Sequence, residues 1–312
     1  MAHDPGRHSG PDGVLVVDKP AGPTSHDVVA LVRRLAGTRR IGHGGTLDPF
    51  ATGVLPLFLG SATRLVEYHA RDRKAYRATV CFGASSTTDD LEGELQPAPA
   101  PAGRPTVETA LANMVGEIAQ QPPAHSAIKI AGRRAYARAR AGEAVKIPER
   151  AVTIHAIGLV DWNDQDLERP IAVIDVECSA GTYVRALARD LGVAVGSAAY
   201  LGALVRTASG PFRIEHAVSV DAVRGAAGEG AAAFAELLLP PDAGLEALPV
   251  VELSEAEVQD VARGRFITPG GGAPSDATGP IRLVAPDGRL VGMASARGGR
   301  LAPDKVFVAA DG

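Results

Sequence analysis

The chain predicts an α+β fold built on a largely antiparallel, mixed sheet flanked by helices, and three observations carry that expectation. Strands and helices interleave without the regular strand–helix–strand cadence of a doubly wound domain. Several strand-like runs are separated by hairpin-length spacings. Between Asp221 and Pro249 the text turns Ala-, Gly- and Pro-rich (RGAAGEGAAAF, LPPDAGLEALP), after which β-type runs predominate, so a second, smaller module is expected beyond a boundary near residue 246. At 312 residues the chain is longer than a usual single core, which fits a large domain over 11–245 and a small one over 248–312.

Each element follows from its local pattern. Residues 14–17 (VLVV) read as a buried strand broken by Asp18-Lys19-Pro20. Thr24 or Ser25 caps a helix whose apolar positions Val28, Val29, Leu31, Val32 and Leu35 recur at helical spacing up to Gly37. The Gly-rich stretch IGHGGTLDPFATG then leads into the apolar strand VLPLFLG. SATRLVEYHA reads as a helix, KAYRATVCFG alternates as a strand, and TTDDLEGELQPAPAPAGRP reads as a surface insertion with a Pro-rich connector. VETALANMVGEIAQ is helical up to QPP. SAIKI and AVTIHAIGLVDW are strands around a basic segment, and IAVIDVECSAGTYVRALARDLG is a strand, a turn at Ser179–Thr182 and a helix. In the C-terminal part SEAEVQDVARG is a short helix, IRLVAPDGRLVGMASA is two strands joined at Pro286-Asp287-Gly288, and KVFVA is a last strand.

Composition narrows the function classes. The 46% hydrophobic and 22% charged residues are those of a globular protein. No run approaches the roughly 18 apolar residues of a membrane helix, and MAHDPGRHSGPDG lacks the apolar core of a signal peptide, so a cytoplasmic protein is expected. Cys81 and Cys178 lie in apolar runs and read as buried hydrophobes. The net charge of −4 points to no polyanionic partner, but the charge is unevenly spread. Lys129 to Arg150 carries seven basic against two acidic residues, and Arg33, Arg34, Arg39, Arg40, Arg71, Arg73, Lys74 and Arg77 form a second group. Either set is equally a solvated helix face.

The familiar catalytic devices are missing: no P-loop, no G-x-G-x-x-G after a strand, no G-x-S-x-G elbow and no H-E-x-x-H. The eight histidines show no metal-ligand spacing. What stands out is a carboxylate in a Gly-rich loop. An Asp-Pro pair is ordinarily a turn former, yet Gly42, Gly44 and Gly45 allow close approach to the backbone, His43 adds a ring, and the following strand would hold the loop rigidly.

Gly42-His43-Gly44-Gly45-Thr46-Leu47-Asp48-Pro49, followed by Ala51-Thr52-Gly53-Val54-Leu55, closely resembles the signature G-H-x-G-x-L-D-P-x-A-x-G-x-L of the bacterial TruB family, the tRNA pseudouridine-55 synthases. The resemblance continues in Gly13–Pro20 with Ser25, Lys74–Arg77, Gln121–Lys129, Gly181-Thr182-Tyr183-Val184-Arg185 and Leu204–Thr207. It implies the pseudouridine-synthase fold followed by a PUA-like β-barrel that binds RNA. His125 stands where relatives commonly carry Tyr or Phe.

The resemblance implies that Asp48 is the catalytic carboxylate, Tyr76 stacks on a flipped uracil and serves proton transfer, His43 fills the disrupted T loop, and Tyr183 and Leu204 line the pocket. From the residues alone Tyr76 is as well a cross-strand aromatic, His43 a turn residue and Leu204 a core leucine. Arg185, at a helix start, is either a surface arginine or a buried cation needing a carboxylate, for which Asp48 is the expected partner. Adding to the base, attacking the sugar carbon and removing a sugar proton all remain open to Asp48. Lys19, Lys129, Arg133 and Arg134 are candidates for contacts to the RNA backbone. An isomerisation needs no cofactor, and the expected partner is the T arm of tRNA, bound by a monomer. Two other readings are a non-catalytic RNA-binding protein on the same scaffold, and an Asp-nucleophile hydrolase, which would need a second carboxylate that the sequence does not show beside Asp48.

Overall fold

A computed structural model describes residues 10–124, 147–268 and 279–309, together with the backbone of 129–130 and 133–134. The strands in chain order are β1 (Gly13–Lys19), β2 (Ile41–His43), β3 (Thr52–Leu59), β4 (Lys74–Phe82), the hairpin β5 (Ala84–Ser86) and β6 (Leu95–Pro97), β7 (Gly116–Gln120), the ribbon β8 (Lys129–Ile130) and β9 (Arg133–Arg134), β10 (Arg150–Asn163), β11 (Ile171–Cys178), β12 (Ala199–Ser209), β13 (Phe212–Arg213) and β14 (Val218–Ser219). The C-terminal part adds β15 (Val250–Glu252), β16 (Ile281–Val284), β17 (Leu290–Arg297) and β18 (Arg300–Val306). The α-helices are α1 (Ser25–Leu35), α2 (Arg104–Asn113), α3 (Val184–Ala194), α4 (Val220–Glu229), α5 (Ala231–Glu236) and α6 (Glu255–Ala262), and Gly60–His69 is a 3-10 helix.

The large sheet runs β14-β1-β3-β12-β4-β11-β10-β7, with β2 added to β3 and β13 to β12. It is antiparallel except where β1 meets β14 and β3 meets β12. Strand β1 shows why VLVV is apolar throughout: Leu15 and Val17 pack with α1, α4 and α5, whereas Val14 and Val16 pack on the opposite face against Phe58 and Phe212. On the other half of the sheet α2 and α3 cover β4, β10, β11 and β12 through Val107, Leu111, Leu187 and Leu191. Thr24 caps α1 with a reciprocal pair, its hydroxyl accepting the Asp27 N–H and the Asp27 carboxylate accepting the Thr24 N–H.

Three local readings of the sequence are corrected. GEIAQ is a strand, not a continuation of the helix, because Gly116 at φ +111° takes the backbone out of the helical region, and Ile118 then alternates on the edge strand β7. The surface reading of the segment after β5 holds for most of residues 91–100 but not for its start, where Asp90 is buried and bridges to Leu201 of β12. The second basic group is not one cationic face, since Arg77 makes a two-pronged pair with Asp175 at 2.8 and 2.7 Å, Arg73 meets Glu177 at 3.1 Å, and Lys74 is buried.

The C-terminal strands form a second sheet, β15-β16-β17-β18, with its own core of Leu253, Val258, Val261, Ile281, Leu283 and Val291. It rests on the 3-10 helix, where Leu65 packs with Leu245, Leu290 and Met293. Lys305 pairs with Glu67 at 3.0 Å, and Arg64 donates to the Val306 carbonyl at 2.6 Å.

At the centre of the large sheet Arg206 of β12 lies opposite Gly53 of β3. Gly53 has φ +99°, and a Cβ there would lie 2.3 Å from the Arg206 carbonyl oxygen. Gly53→Ala therefore destabilises the fold by about 3 kcal/mol, through backbone strain and the forced separation of β3 and β12, as measured by denaturant unfolding.

Candidate active site

The Gly42–Ala51 loop is bound from behind by groups that the body of the domain supplies. Lys19, fully buried at the end of β1, donates to the carbonyls of Pro20, Pro49 and Ala51 at 2.9, 3.1 and 2.7 Å. Buried Ser25, at the start of α1, accepts the Leu47 N–H at 2.8 Å and donates to the Leu47 carbonyl at 3.1 Å. Arg206, 1% exposed, donates to the carbonyls of Val54, Gly45 and Thr46 at 2.7, 3.1 and 3.4 Å. Lys19 is thus not available to an RNA phosphate, and its expected role in backbone contact is corrected: its ammonium holds the loop. Burial lowers its pKa to about 8, against the pull of nearby Asp48.

So anchored, the loop presents Asp48 to a cleft of about 490 Å³. His43, Asp48, Tyr76, Tyr183, Arg185 and Leu204 all line it, so one surface collects six residues spread over 162 positions of sequence. The expected ion pair is present, with Arg185 Nε 3.0 Å from Asp48 Oδ2 and Nη2 3.3 Å from Oδ1. Leu204 reaches the cleft because the β12–β4 register shifts between Leu201 and Ala203, after which Leu204 and Arg206 share one side of the strand. Tyr183 is held by Gln120, whose amide donates to its carbonyl at 3.1 Å and accepts its N–H at 2.8 Å, and the Arg150 guanidinium lies 4.7 Å over its ring. His43 accepts the Gly45 N–H at its Nδ1 and packs edge-on to His26; burial, His26 and Arg206 keep its pKa below the usual imidazole value.

Asp90, Arg206 and Arg150 adjoin these residues, and sequence reasoning did not single them out. Asp90, 3% exposed, takes Arg185 Nη1 on its Oδ2 at 3.0 Å, so one guanidinium is shared between Asp48 and a second carboxylate. A second acid therefore does stand near Asp48, but it is sealed from the cleft and cannot activate a water, so it does not supply the partner that a hydrolase needs. Its signal in the sequence was slight: an acidic pair in a polar loop. Arg206 carried a weak signal inside the Leu204–Thr207 match and lies beside the Tyr76 phenol, which burial holds in its protonated form well above neutral pH. Of the RNA-contact candidates, the side chains of Lys129, Arg133 and Arg134 lie outside the described residues, as does His125.

A carboxylate paired with a cation, in a cleft that also presents an aromatic ring and apolar side chains, can act as nucleophile or base on a planar ring lodged there. Residues 33–184 match the family model described as TruB family pseudouridylate synthase (N terminal domain), and residues 248–308 match the one described as tRNA Pseudouridine synthase II, C terminal. Fold and site together define a pseudouridine synthase, an isomerase. The chain is 47% identical over 302 residues to the tRNA pseudouridine synthase B of Thermobifida fusca (strain YX), covering 95% of this chain and 98% of that protein. It is 46% identical over 305 residues to the protein of the same name in Arthrobacter sp. (strain FB24), covering 95% and 96%. The chain belongs to the TruB family of pseudouridylate synthases. Among solved structures, a Cbf5-Nop10-Gar1 complex matches with a TM-score of 0.72 at 25% identity, over 95% of this chain and 85% of that one. An H/ACA RNP bound to a substrate RNA containing 2′-deoxyuridine shares the fold, with a TM-score of 0.73 at 23% identity over 96% and 86%.

Burial and the neighbouring Asp90 raise the pKa of Asp48, while Arg185 and Lys19 oppose them, and the net direction is upward. For a reaction that uses Asp48 as the ionised carboxylate, activity falls away as pH drops through this raised value. The acid limb of the single-turnover rate thus lies above the ordinary carboxylate value of about 3.9, and a limb at or below that value in a pH–rate profile would show the pair with Arg185 to prevail.

Proposed function

We propose that this chain isomerises uridine 55, in the T loop of tRNA, to pseudouridine, with Asp48 as the essential carboxylate. The observation that carries the reading is the Asp48–Arg185 pair on the wall of a nucleoside-sized cleft that also presents Tyr76. Substrate class comes from the relatives, which are named for tRNA.

The reaction breaks the N1–C1′ bond, rejoins the uracil to C1′ through C5, and transfers the displaced C5 proton to solvent while N1 gains one. No electron acceptor or group donor enters that balance. A uridine in folded RNA must leave its stack to meet Asp48, at an unstacking cost of a few kcal/mol. In this reading Tyr76 stacks on the flipped base and Leu204 and Tyr183 close around it, while His43, on the rim beside His26, takes the place left in the T loop. Tyr76, protonated and beside Arg206, is the group placed to hand on a proton. Arg185 keeps Asp48 ionised and oriented.

We take 11–245 as the catalytic unit and 248–312 as an RNA-binding module, acting without a partner protein. The basic segment that includes Lys129, Arg133 and Arg134 supplies phosphate contacts.

Tritium release from [5-³H]uridine-labelled, unmodified tRNA tests the reaction. The parent releases tritium and forms pseudouridine at position 55, and Asp48→Asn lowers the rate by roughly a thousandfold or more; tight binding without release by the parent would instead support a non-catalytic RNA-binding protein. Free uracil among the products would support the hydrolase. For affinity, replacing Arg133 and Arg134 by Ser reduces the slope of log K against log salt by about 1.5, whereas Lys19→Met leaves it unchanged because that ammonium meets only protein carbonyls.

A further inference from the structure

The loop after β5 carries two adjacent acids, Asp89 and Asp90, and both are gripped by α3. In an extended chain neighbouring side chains point to opposite faces. Here Asp89 has φ +60°, the one non-glycine residue with a positive φ among the described residues, and that turn sends both carboxylates to the same helix. Arg189 Nη1 donates to Asp89 Oδ2 at 2.8 Å, and Arg185, one helical turn earlier, donates from Nη1 to Asp90 Oδ2 at 3.0 Å. The backbone is fixed as well: the Asp89 N–H donates to the Ser86 carbonyl at 3.1 Å, and its own carbonyl accepts the Leu201 N–H at 3.0 Å.

A glycine would adopt φ +60° without strain. An aspartate there carries a conformational cost that a glycine would not, and what it adds is the carboxylate that Arg189 holds. Arg189 in turn donates Nη2 to the Gln121 carbonyl at 2.8 Å, next to the Gln120 amide that fixes Tyr183. Neither Asp89 nor Arg189 lines the cleft. We infer that Asp89 and Arg189 are a positioning pair, which sets Asp90 against Arg185 and through Arg185 sets the angle at which Asp48 faces the substrate. The inference rests on the proposed reaction, since it concerns the rate of that reaction.

The discriminating variant is Asp89→Gly, which removes the carboxylate and relieves the backbone strain at once. In single-turnover tritium release at saturating tRNA, Asp89→Gly and Asp89→Asn slow the reaction about tenfold, because a small misalignment of a reacting group is enough for such a loss. The Kd for tRNA stays within about twofold, the Tm of Asp89→Gly does not fall, and Asp89→Asn/Arg189→Gln is no slower than Arg189→Gln within about twofold, as expected of one interaction. A parent-like rate for Asp89→Gly overturns the inference, and so does a rate loss matched by a fall in Tm or a rise in Kd, which would mark the pair as fold-maintaining only. An active parent in the same assay keeps these outcomes separate from failure of the functional reading; an inactive parent overturns that reading, and this inference with it.

Discussion

The architecture of the site depends on one buried cation. Arg185 sits at the start of α3 with its guanidinium between Asp48 and Asp90, an arrangement that the low dielectric makes necessary. A single carboxylate would neutralise the charge, but it would leave part of a five-donor fork unsatisfied. Asp90, held by Thr88 and the Glu92 N–H, takes one side of the fork and the Thr88 carbonyl adds an acceptor, so that the remaining side faces Asp48. Asp48 thereby has a cationic partner that is itself fixed in place. Burial is the largest influence on the pKa of Asp48 and the negative charge of Asp90 adds to it, so the direction is upward although Arg185 and Lys19 oppose it.

The loop that carries Asp48 is held in the same manner, by cations paired with carbonyl dipoles. Lys19 and Arg206 enter from opposite sides, from β1 and β12, and between them contact six main-chain carbonyls, five of them in the Asp48 loop and β3. These contacts are directional, and they fix the backbone of a segment whose glycines would otherwise leave it mobile. Rigid placement of the reactive group before substrate arrives is the condition for a large effect on rate. It also explains why Gly53 must lack a side chain: the β3–β12 contact brings the Arg206 main chain against it while the Arg206 side chain crosses to the loop.

Most of the scaffold was legible in the sequence wherever a local pattern determined it. VLVV, the Thr24 cap and the alternation of Lys74–Phe82 each express a rule that acts over a few residues. The misreadings share the opposite property. GEIAQ carries apolar residues at a spacing that suits a helix, and only the positive φ of Gly116 and pairing with β10 decide for a strand. Lys19 next to a turn looks like a surface lysine until β1 is seen to end beneath the Asp48 loop. Asp89 and Asp90 look like solvated loop acids because the arginines that bind them lie about 100 residues away. The Asp48 loop itself was legible because its glycines, histidine and Asp-Pro are contiguous, and Tyr76, Leu204 and Arg185 gained meaning only beside it.

The 3-10 helix Gly60–His69 joins these arguments, for it serves both modules. It leaves β3 directly after the strand that holds the Asp48 loop, and Val66, together with Ala70 just past its end, lines the cleft. Its other side bears Leu65 in the contact with Leu290 and Met293, Glu67 in the pair with Lys305, and Arg64 on the Val306 carbonyl. Asp12 closes its N-terminus, with carboxylate bonds to the Ser61 N–H and hydroxyl at 2.6 Å each. Its far end is tied by buried His69, whose Nδ1 meets Asp72 at 2.8 Å. A ten-residue element fixed at both ends and packed on two sides leaves little freedom between the C-terminal sheet and the cleft. The C-terminal sheet is thus packed on an element that continues directly from β3, the strand that follows the Asp48 loop.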